Sequence, residues 1–366
     1  MPDEPNITAE SKTLEAPGEI ASEARRRINL LASRVPGVRA FLKPPTPPPL
    51  PPTERVAVIS DFHLGDPMST MDDRTGDRLC SAIADLGRLD QLILLGDIFD
   101  FWQAPLGDAI EAGKGLIPSL FLLDNVKSIV YVPGNHDHHV CRMYFEEETA
   151  RRLRAGNLEP PELTIPMTDD CPVMAPLVPD DATVPLSMVY PFHQLTVQGK
   201  SVLFTHGHLL GLFERSLWMR NAMMSSLLLT KGQSLSLEDV ERFASLYYEM
   251  LALSTSMPGV VNGRYRIYRA VIRAGKALGL AGESRTSSLR DTTVEQNAVE
   301  LEALLDQLTD KKPDYFVYGH THRAGKLVLP LSGVTAVNSG GWLTNEYTRP
   351  SNIIVEISDD AYIHVV

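Results

Sequence analysis

Five short polar motifs, each placed directly after an apolar run, constrain the fold of this chain more than any other feature. The motifs are Asp61-Phe-His63, Gly96-Asp97-Ile-Phe-Asp100, Gly134-Asn135-His136-Asp137, His206-Gly-His208 and Gly319-His320-Thr-His322. The preceding runs, VAVIS, QLILL, SIVYVP, SVLFT and YFVY, are typical of buried strands. Eight of the ten histidines in the chain lie in or beside these motifs. A distribution this uneven indicates that the motifs ligate metal.

The order of the apolar runs predicts the fold class. Helical stretches at 75–87 and 109–123 separate the first three runs, and such alternation is typical of parallel βαβ units. After residue 327, the short runs VTAVN, NIIVEIS and YIHVV follow one another closely, which favours an antiparallel arrangement. The predicted class is therefore α/β, a mixed β-sandwich flanked by helices. Because ligands gather beyond the carboxyl ends of strands in open α/β sheets, the five motifs are expected to converge on one site.

Residues 1–53 form a predicted appendage to a main domain that spans 54–366. Seven prolines crowd residues 44–52 and predict an extended, semi-rigid linker. Inside the main domain, the Pro- and Asp-rich residues 155–188 predict an irregular insertion. Before the linker, residues 20–34 are predicted to form a helix with one apolar face, made of Ile20, Ala24, Ile28 and Leu31. Two interpretations of this helix remain open: a tail that docks on its own domain or frays from it, and a helix that binds a partner.

Residues 209–312, between the fourth and fifth motifs, predict a mostly helical insertion that caps the site, because the segment is too long for a plain loop. Within it, Arg266, Arg269 and Arg273 share one helical face. This row is expected either to hold a phosphate, a nucleotide or an anionic lipid head, or to be a solvated face with local ion pairs. The segment 209–229 is unusually apolar, which indicates core packing of a cap helix, an acyl-chain groove or a contact with a bilayer.

Composition limits the functions open to this chain. A chain of 366 residues, 43% of them apolar, can bury a large core. The net charge of −12 argues against broad binding of nucleic acid through its phosphates. No apolar run reaches the length of a membrane span and the N-terminus lacks a secretory signal, so a cytoplasmic protein is expected. The three cysteines are far apart and predict no disulfide framework.

The residue types in the motifs suit two adjacent divalent ions. Asp61 and His63 are two positions apart, as are His320 and His322, and in extended chain such a pair points to one side. A mixture of carboxylates, imidazoles and an amide oxygen suits Mn, Fe or Zn better than an all-oxygen Mg or Ca site. Two ions about 3.5–4 Å apart clamp a phosphate and lower the pKa of a bridging water. Asp97 is the expected shared carboxylate, since it ends a buried strand beside a glycine.

Together, the motifs resemble the pattern of the calcineurin-like metallophosphoesterase superfamily, which is D-x-H, GD-x-x-D, GNH-D/E, H and GH-x-H. The resemblance covers residues 55–366 apart from the two insertions. It implies a metallophosphoesterase-type fold and a hydrolase that cleaves a phosphodiester or pyrophosphate bond by attack of a metal-bridging hydroxide. Manganese is the expected metal in vitro. The resemblance places four residues on each metal, with one shared: Asp61, His63, Asp97 and His322 on the first, and Asp97, Asn135, His206 and His320 on the second.

The resemblance also implies roles for residues that do not ligate metal. His136 matches the histidine that contacts the phosphate and protonates the leaving oxygen, a task that suits imidazole near neutral pH. Asp100 matches the carboxylate that orients this histidine. His208 is expected either to face the substrate or to cap its turn. His138 and His139 are expected at the surface, with contact to the substrate as the alternative.

The motifs leave several substrate classes open. Phe101-Trp102 follows Asp100 where protein Ser/Thr phosphatases of the superfamily have Arg-Gly, so that branch is disfavoured. The stretch GDIFDFW resembles the UDP-2,3-diacylglucosamine hydrolase branch, which cleaves a lipid-linked pyrophosphate, although that branch has Arg in place of His136. The expected substrate is a phosphoester, small or lipid-linked, with peripheral contact between the insertion and the inner face of a membrane. A non-catalytic metal-binding scaffold of the same fold is the alternative, and a DNA nuclease is disfavoured by the acidic charge.

Overall fold

The protein is described by a computed structural model that covers most of the chain. The described residues are 17–34, 53–159, 161–212, 237–257, 259, 263, 292–308, 311–344 and 350–366. The predicted linker at 44–52 and the arginines of the predicted cap, Arg266, Arg269 and Arg273, lie outside these residues. Much of the 209–312 segment lies outside them as well.

Within the described residues, helices and strands alternate through the first half of the main domain. The elements are α1 (Pro17–Arg34), β1 (Val56–Ile59), α2 (Asp73–Asp85), β2 (Gln91–Leu94), α3 (Leu106–Gly113), α4 (Ile117–Leu120), β3 (Ile129–Tyr131), α5 (His139–Arg154), β4 (Ile165–Thr168), β5 (Leu186–Tyr190), β6 (His193–Val197), β7 (Lys200–Thr205), α6 (Leu237–Ser254), α7 (Ala298–Leu308), β8 (Tyr315–Tyr318), β9 (Gly325–Val328), β10 (Thr335–Asn338), β11 (Ile353–Ile357) and β12 (Ala361–Val365). Short 3₁₀ helices at Ala175–Leu177 and His208–Leu212 precede β5 and follow β7.

Local sequence explains where several of these elements begin and end. Asp72 caps the N-terminus of α2, since its side chain accepts a hydrogen bond of 2.8 Å from the backbone N–H three residues on. The helix predicted at 109–123 is divided into α3 and α4, because Gly113 and Gly115 disfavour helix between them. The irregular insertion predicted at 155–188 is wrong in part, because the segment contains β4 and the first residues of β5.

The strands form two mixed sheets, and the parallel strands of each sheet end at one edge. The first sheet has the order β12-β11-β1-β2-β3-β5-β4, and the second has the order β6-β7-β8-β10-β9. In the first sheet β1, β2, β3 and β5 are parallel, and in the second β7, β8 and β10 are parallel. β11 and β12 pair antiparallel as predicted, whereas β10 is antiparallel to β9 but parallel to β8. The predicted mixed α/β class is confirmed.

The two sheets pack face to face around an apolar core. Val56 and Val58 of β1 point into this core, while Ala57 and Ile59 point to the opposite side, as the period of two requires. The second sheet contributes several side chains to the same core, among them Val202, Phe204, Val317 and Val337. Because both faces of the parallel strands are buried, their sequences are continuous apolar runs rather than alternating ones.

Helices cover the outer face of each sheet. Leu79 and Ile83 of α2 pack on the first sheet. Leu301 and Leu304 of α7 belong to the same buried cluster as Phe316 of the second sheet. α7 therefore contributes to the core of the main domain, although its sequence falls inside the segment predicted to form a cap. None of the described helices combines the length and the apolarity needed to cross a membrane.

The N-terminal helix α1 docks on the second sheet through α7. Ile20 and Ala24 are buried in the cluster that contains α7, and Ala24 has no exposed surface. On the opposite side Arg25 and Arg26 are exposed, and Arg26 Nε lies 2.6 Å from Glu23 Oε2. Of the open interpretations of this helix, the structure favours the docked tail.

Replacing Ala24 with Glu is expected to detach α1 from α7, because an unpaired carboxylate would enter a fully buried position. Burying such a group without a partner costs about 2 kcal/mol or more. The backbone amides of α1 should therefore exchange with deuterium at least about tenfold faster, measured by mass spectrometry. The control is Arg25→Glu, which places the same acid at the neighbouring exposed position. Unchanged exchange in the Ala24→Glu variant would contradict docking.

Candidate metal centre

The parallel strands of both sheets bring the motif residues to one edge of the sandwich. Turns after β1, β2 and β3 carry Asp61, Asp97 and Asn135, and turns after β7 and β8 carry His206 and His320. Among the described residues, groups of His and Asp side chains have ligand atoms within 4.8 Å of one another. The groups are Asp61, His63 and His322; His63, Asp97 and His136; and Asp97, His206 and His320. Every ligand expected from the sequence, apart from Asn135, is a member of one of them.

The first group joins residues from both sheets. The Nε2 atoms of His63 and His322 lie 3.2 Å apart. His322 Nε2 is 3.3 Å from Asp61 Oδ1, and His63 Nε2 is 3.9 Å from the same oxygen. All three side chains are buried. Two imidazole nitrogens that converge on a buried carboxylate form an arrangement that a divalent cation would stabilise.

Asp97 belongs to two of these groups, one with His63 and His136 and the other with His206 and His320. Its Oδ2 is 3.1 Å from His206 Nε2 and 3.7 Å from His63 Nε2. Its Oδ1 accepts a hydrogen bond of 2.8 Å from the His136 N–H. Burial alone would raise the pKa of Asp97, but the surrounding imidazoles, His206 foremost, hold the pKa well below its usual range. An ionised carboxylate therefore faces both groups, in the position that a shared ligand would require.

Buried polar atoms at this edge fit metal ions. His206 Nδ1 donates to the Leu95 carbonyl at 3.0 Å, which turns its Nε2 toward Asp97. Burial alone would lower the pKa of His206, but the Asp97 carboxylate raises the pKa to about 10. Asn135 Oδ1 is buried and finds no hydrogen-bond partner within the described residues. This set of imidazole, carboxylate and amide donors suits Mn, Fe or Zn.

The backbone is left-handed at five of the seven expected ligand positions. The residues with positive φ here are Asp61 (56°), His63 (50°), Asp97 (52°), His320 (66°) and His322 (58°). The extended conformation predicted for the two i, i+2 pairs is therefore wrong, although both pairs still reach the site. A non-glycine residue in this region costs about 1–3 kcal/mol and persists only where its surroundings impose it. Here the amides of Asp61 and His63 donate to the carbonyls of Gly96 and Asp97 at 3.0 and 2.9 Å.

Two glycines allow the backbone to approach Asp97. A Cβ on Gly134 would come within 2.7 Å of the Asp97 backbone nitrogen. A Cβ on Gly96, whose φ is 78°, would come within 2.5 Å of His206 Nδ1 and 2.8 Å of the Gly134 Cα. Any larger residue at either position would displace Asp97 or His206. The glycines of these two motifs therefore have a steric role in the site.

Asp100 contacts two histidines at once. Its Oδ2 lies 2.9 Å from His63 Nδ1 and 2.9 Å from His136 Nδ1. Its Oδ1 accepts hydrogen bonds of 3.0 and 3.1 Å from the backbone N–H groups of Trp102 and Gln103. Burial alone would raise the pKa of Asp100, but His136 and His63 hold the pKa well below its usual range. The sequence predicted a contact of Asp100 with His136 alone, whereas the structure also shows a contact with His63, a candidate metal ligand.

Aromatic and imidazole rings line the site beyond the ligand groups. The indole of Trp102 stacks on the His136 imidazole, with centroids 4.0 Å apart and an interplanar angle of 28°. His208 is buried, its ring centroid lies 5.9 Å from that of His206, and its Nε2 lies 3.4 Å from the Tyr190 hydroxyl. His208 therefore lies next to the group of Asp97, His206 and His320 and is not a member of it.

Helix α6 supplies residues that sequence reasoning missed. Its Tyr248 packs 5.3 Å from the His138 ring, and its Glu249 lies 2.7 Å from His139 Nδ1. His138 is 1% exposed, so the prediction that it is a surface residue is wrong, because α6 covers it. The only signal in the sequence was an aromatic pair, Tyr247 and Tyr248, beside an acid on a predicted helix, which does not distinguish site contacts from ordinary packing.

A family model described as calcineurin-like phosphoesterase matches residues 54–241. This range contains four of the five motifs, from Asp61 to His208. No curated protein sequence matches the chain.

Solved structures with similarity to this chain share little sequence with it. A dimetal phosphatase from Danio rerio is 12% identical, with 86% of this chain and 99% of the other covered and a TM-score of 0.37. A predicted phosphoesterase from Streptococcus pneumoniae is 11% identical, with 87% and 94% covered and a TM-score of 0.29. Vps29 from Entamoeba histolytica, complexed with Zn, is 12% identical, with 83% and 87% covered and a TM-score of 0.28.

Replacing Asp97 with Asn is expected to lower the metal content of both ligand groups together, because the amide removes the charge that faces His63 and His206. Inductively coupled plasma mass spectrometry after dialysis against Mn should then find well under one ion per chain, against about two in the unaltered protein. The control is Asp66→Asn, which changes a nearby carboxylate that accepts a hydrogen bond from the Met68 N–H in a turn. Full occupancy in the Asp97→Asn variant would exclude a shared ligand at this position.

Proposed function

Because the chain belongs to the calcineurin-like phosphoesterase family, we propose that it is a dinuclear-metal phosphoesterase that hydrolyses a phosphodiester or pyrophosphate bond, with His136 as general acid. The observation that carries the proposal is the position of Asp97, whose carboxylate faces His63 on one side and His206 on the other. The backbone of the candidate acid is held by the same carboxylate, since the backbone N–H of His136 donates to Asp97 Oδ1.

In this proposal, the motif residues bind two ions. Asp97 is the shared ligand, and the other members are Asp61, His63 and His322 for the first ion and Asn135, His206 and His320 for the second. Two divalent ions bound there would supply Lewis-acid chemistry, polarising the phosphoryl oxygens and lowering the pKa of a water. The mixed donor set suits Mn, Fe or Zn, and we propose Mn for reconstitution in vitro.

The contacts of His136 suit proton donation to the leaving group. Asp100 Oδ2 holds Nδ1 at 2.9 Å, so the other ring nitrogen is the one available for the substrate. The backbone bond to Asp97 keeps the ring beside the ligand groups. Imidazole is the side chain most often used for general acid catalysis near neutral pH. Asp100 therefore acts as a positioning carboxylate, for His63 as well as for His136.

Exposed apolar side chains on α6 favour one substrate class in particular, a lipid-linked pyrophosphate. Leu246, Met250 and Leu253 are 69%, 59% and 63% exposed, and their spacing of four and three residues places them near one face of the helix. Tyr247 and Tyr248, which follow Leu246 on the same helix, lie beside Trp102 at the site. An acyl chain of a substrate could lie along this face while its phosphate reaches the metal centre. Such a substrate would bring the protein to the inner face of a membrane.

Hydrolysis of bis-p-nitrophenyl phosphate and p-nitrophenyl phosphate tests the proposed reaction. The purified protein would be stripped of metal and reloaded with Mn, with Asp97→Asn assayed beside it. We expect turnover that requires metal and is lost in the variant, with the diester-to-monoester ratio indicating the substrate class. Absence of turnover with two ions bound, on these esters and on a lipid-linked pyrophosphate, would contradict the enzyme and favour a metal-binding scaffold.

Replacing His136 with Gln is expected to slow hydrolysis of esters with poor leaving groups by about 100-fold or more, because these need a proton on the departing oxygen. Esters of p-nitrophenol, which leave without that help, should be affected far less, and metal content should stay the same. His364→Gln is the matched control, since His364 lies on β12 against Glu356, away from the site. Equal rates for the His136→Gln variant and the unaltered protein on a phenyl diester would exclude His136 as the acid.

A further inference from the structure

Helix α6 contacts the loops that follow two neighbouring strands at the site. Tyr248, which is 8% exposed, lies 5.6 Å from the Trp102 ring and 5.3 Å from the His138 ring between centroids. The next residue, Glu249, has its Oε2 2.7 Å from His139 Nδ1 and its Oε1 3.9 Å from His138 Nδ1. Trp102 belongs to the loop after β2, His138 ends the turn after β3, and His139 begins α5. Consecutive side chains of α6 therefore hold both loops.

Trp102 transmits the contact with α6 to the proposed acid. Its indole stacks on the His136 imidazole at 4.0 Å and is itself backed by Tyr248 and Tyr247. Asp100 Oδ2 lies 2.9 Å from the Nδ1 atom of the His136 ring. The stacked indole adds to this contact, because an aromatic ring on its face restricts the plane of the imidazole.

Glu249 anchors α6 to the turn that carries His136. Burial alone would raise the pKa of Glu249, but its contacts with His138 and His139 lower the pKa to about 2. The hydrogen bond that His139 donates to Glu249 raises the pKa of His139 in turn. The contact is therefore an ion pair when both groups are charged, and its partners lie two and three residues after His136. Ser245, one turn earlier on α6, lies 3.3 Å from His138 Nε2 and adds a second polar contact.

We propose that Tyr248 and Glu249 of α6, acting through Trp102, His138 and His139, are positioning residues that fix the His136 imidazole for proton donation. The inference rests on the proposed function, because it gives α6 a role in the same reaction. These residues act through His136 and not on the reacting atoms. Their effect should therefore depend on the leaving group, since only a poor leaving group requires the proton. A displacement of about 1 Å in such a group is enough to lower a rate by about 100-fold.

A leaving-group comparison in variants of the full chain tests the inference. Trp102→Leu, Trp102→Phe and Glu249→Gln would be assayed, loaded with Mn, on bis-p-nitrophenyl phosphate and on its diphenyl counterpart. We expect Trp102→Leu and Glu249→Gln to lower kcat on the diphenyl ester by about tenfold or more, and on the nitrophenyl ester by about twofold or less. Trp102→Phe, which keeps a stacking ring, should restore most of the difference. The control is Glu146→Gln, an exposed acid on α5 that pairs with Arg142.

A second measurement does not depend on turnover. In the metal-free protein, Glu249→Gln should speed hydrogen exchange of the amides of α6 and of residues 136–141. Glu146→Gln should leave the exchange of both segments unchanged. Equal loss on the two esters, or an unchanged ratio between them in every variant, would overturn the inference while the proposed function stands. No metal-dependent turnover by the unaltered protein on either ester or on a lipid-linked pyrophosphate would overturn both.

Discussion

Asp97 lies where the two sheets meet, and its carboxylate faces ligand residues from each of them. Its Oδ2 approaches His63 from the first sheet and His206 from the second, at 3.7 and 3.1 Å. Its Oδ1 accepts a hydrogen bond from the backbone N–H of His136, so Asp97 also positions the loop that carries the proposed acid. Gly96 and Gly134 leave the space that this arrangement occupies. The geometry of both ligand groups and of the acid therefore depends on one buried side chain.

Left-handed turns give the ligands their directions, and the folded sandwich keeps those turns in place. A turn of this kind at Asp61 or His63 is unfavourable in an isolated peptide, because Cβ crowds the following carbonyl. In the folded protein, the amides of both residues donate to carbonyls in the loop after β2, so one loop templates the other. Strained backbone of this kind is common where side chains must be held in advance of binding. The site is thus built into the fold before any ligand arrives.

The sequence predicted that the motif residues meet at one site, and it did not predict the surroundings of that site. Strand ends are local features, and chain direction then decides that Asp61, Asp97 and His206 converge, so apolar runs followed by polar motifs predict the centre. The left-handed backbone could not be predicted, since nothing in D-x-H distinguishes it from extended chain. His138 was expected at the surface because polarity was the only local information, and its burial arises from α6, more than 100 residues away. Contacts such as Glu249 with His139 belong to tertiary packing, which periodicity does not encode.

Ligand groups that draw on both sheets make the thickness of the sandwich a chemical variable. Stacked sheets lie about 10 Å apart, at a distance set by the side chains between them. Here those side chains include Val58, Phe204 and Val337, none of which can bind a metal. Interiors are packed so closely that a single methylene is felt by its neighbours. The apolar layer therefore sets the distance between His63 and His206. A substitution in this layer would change the preference of the site for one metal over another, although the substituted residue does not touch the metal.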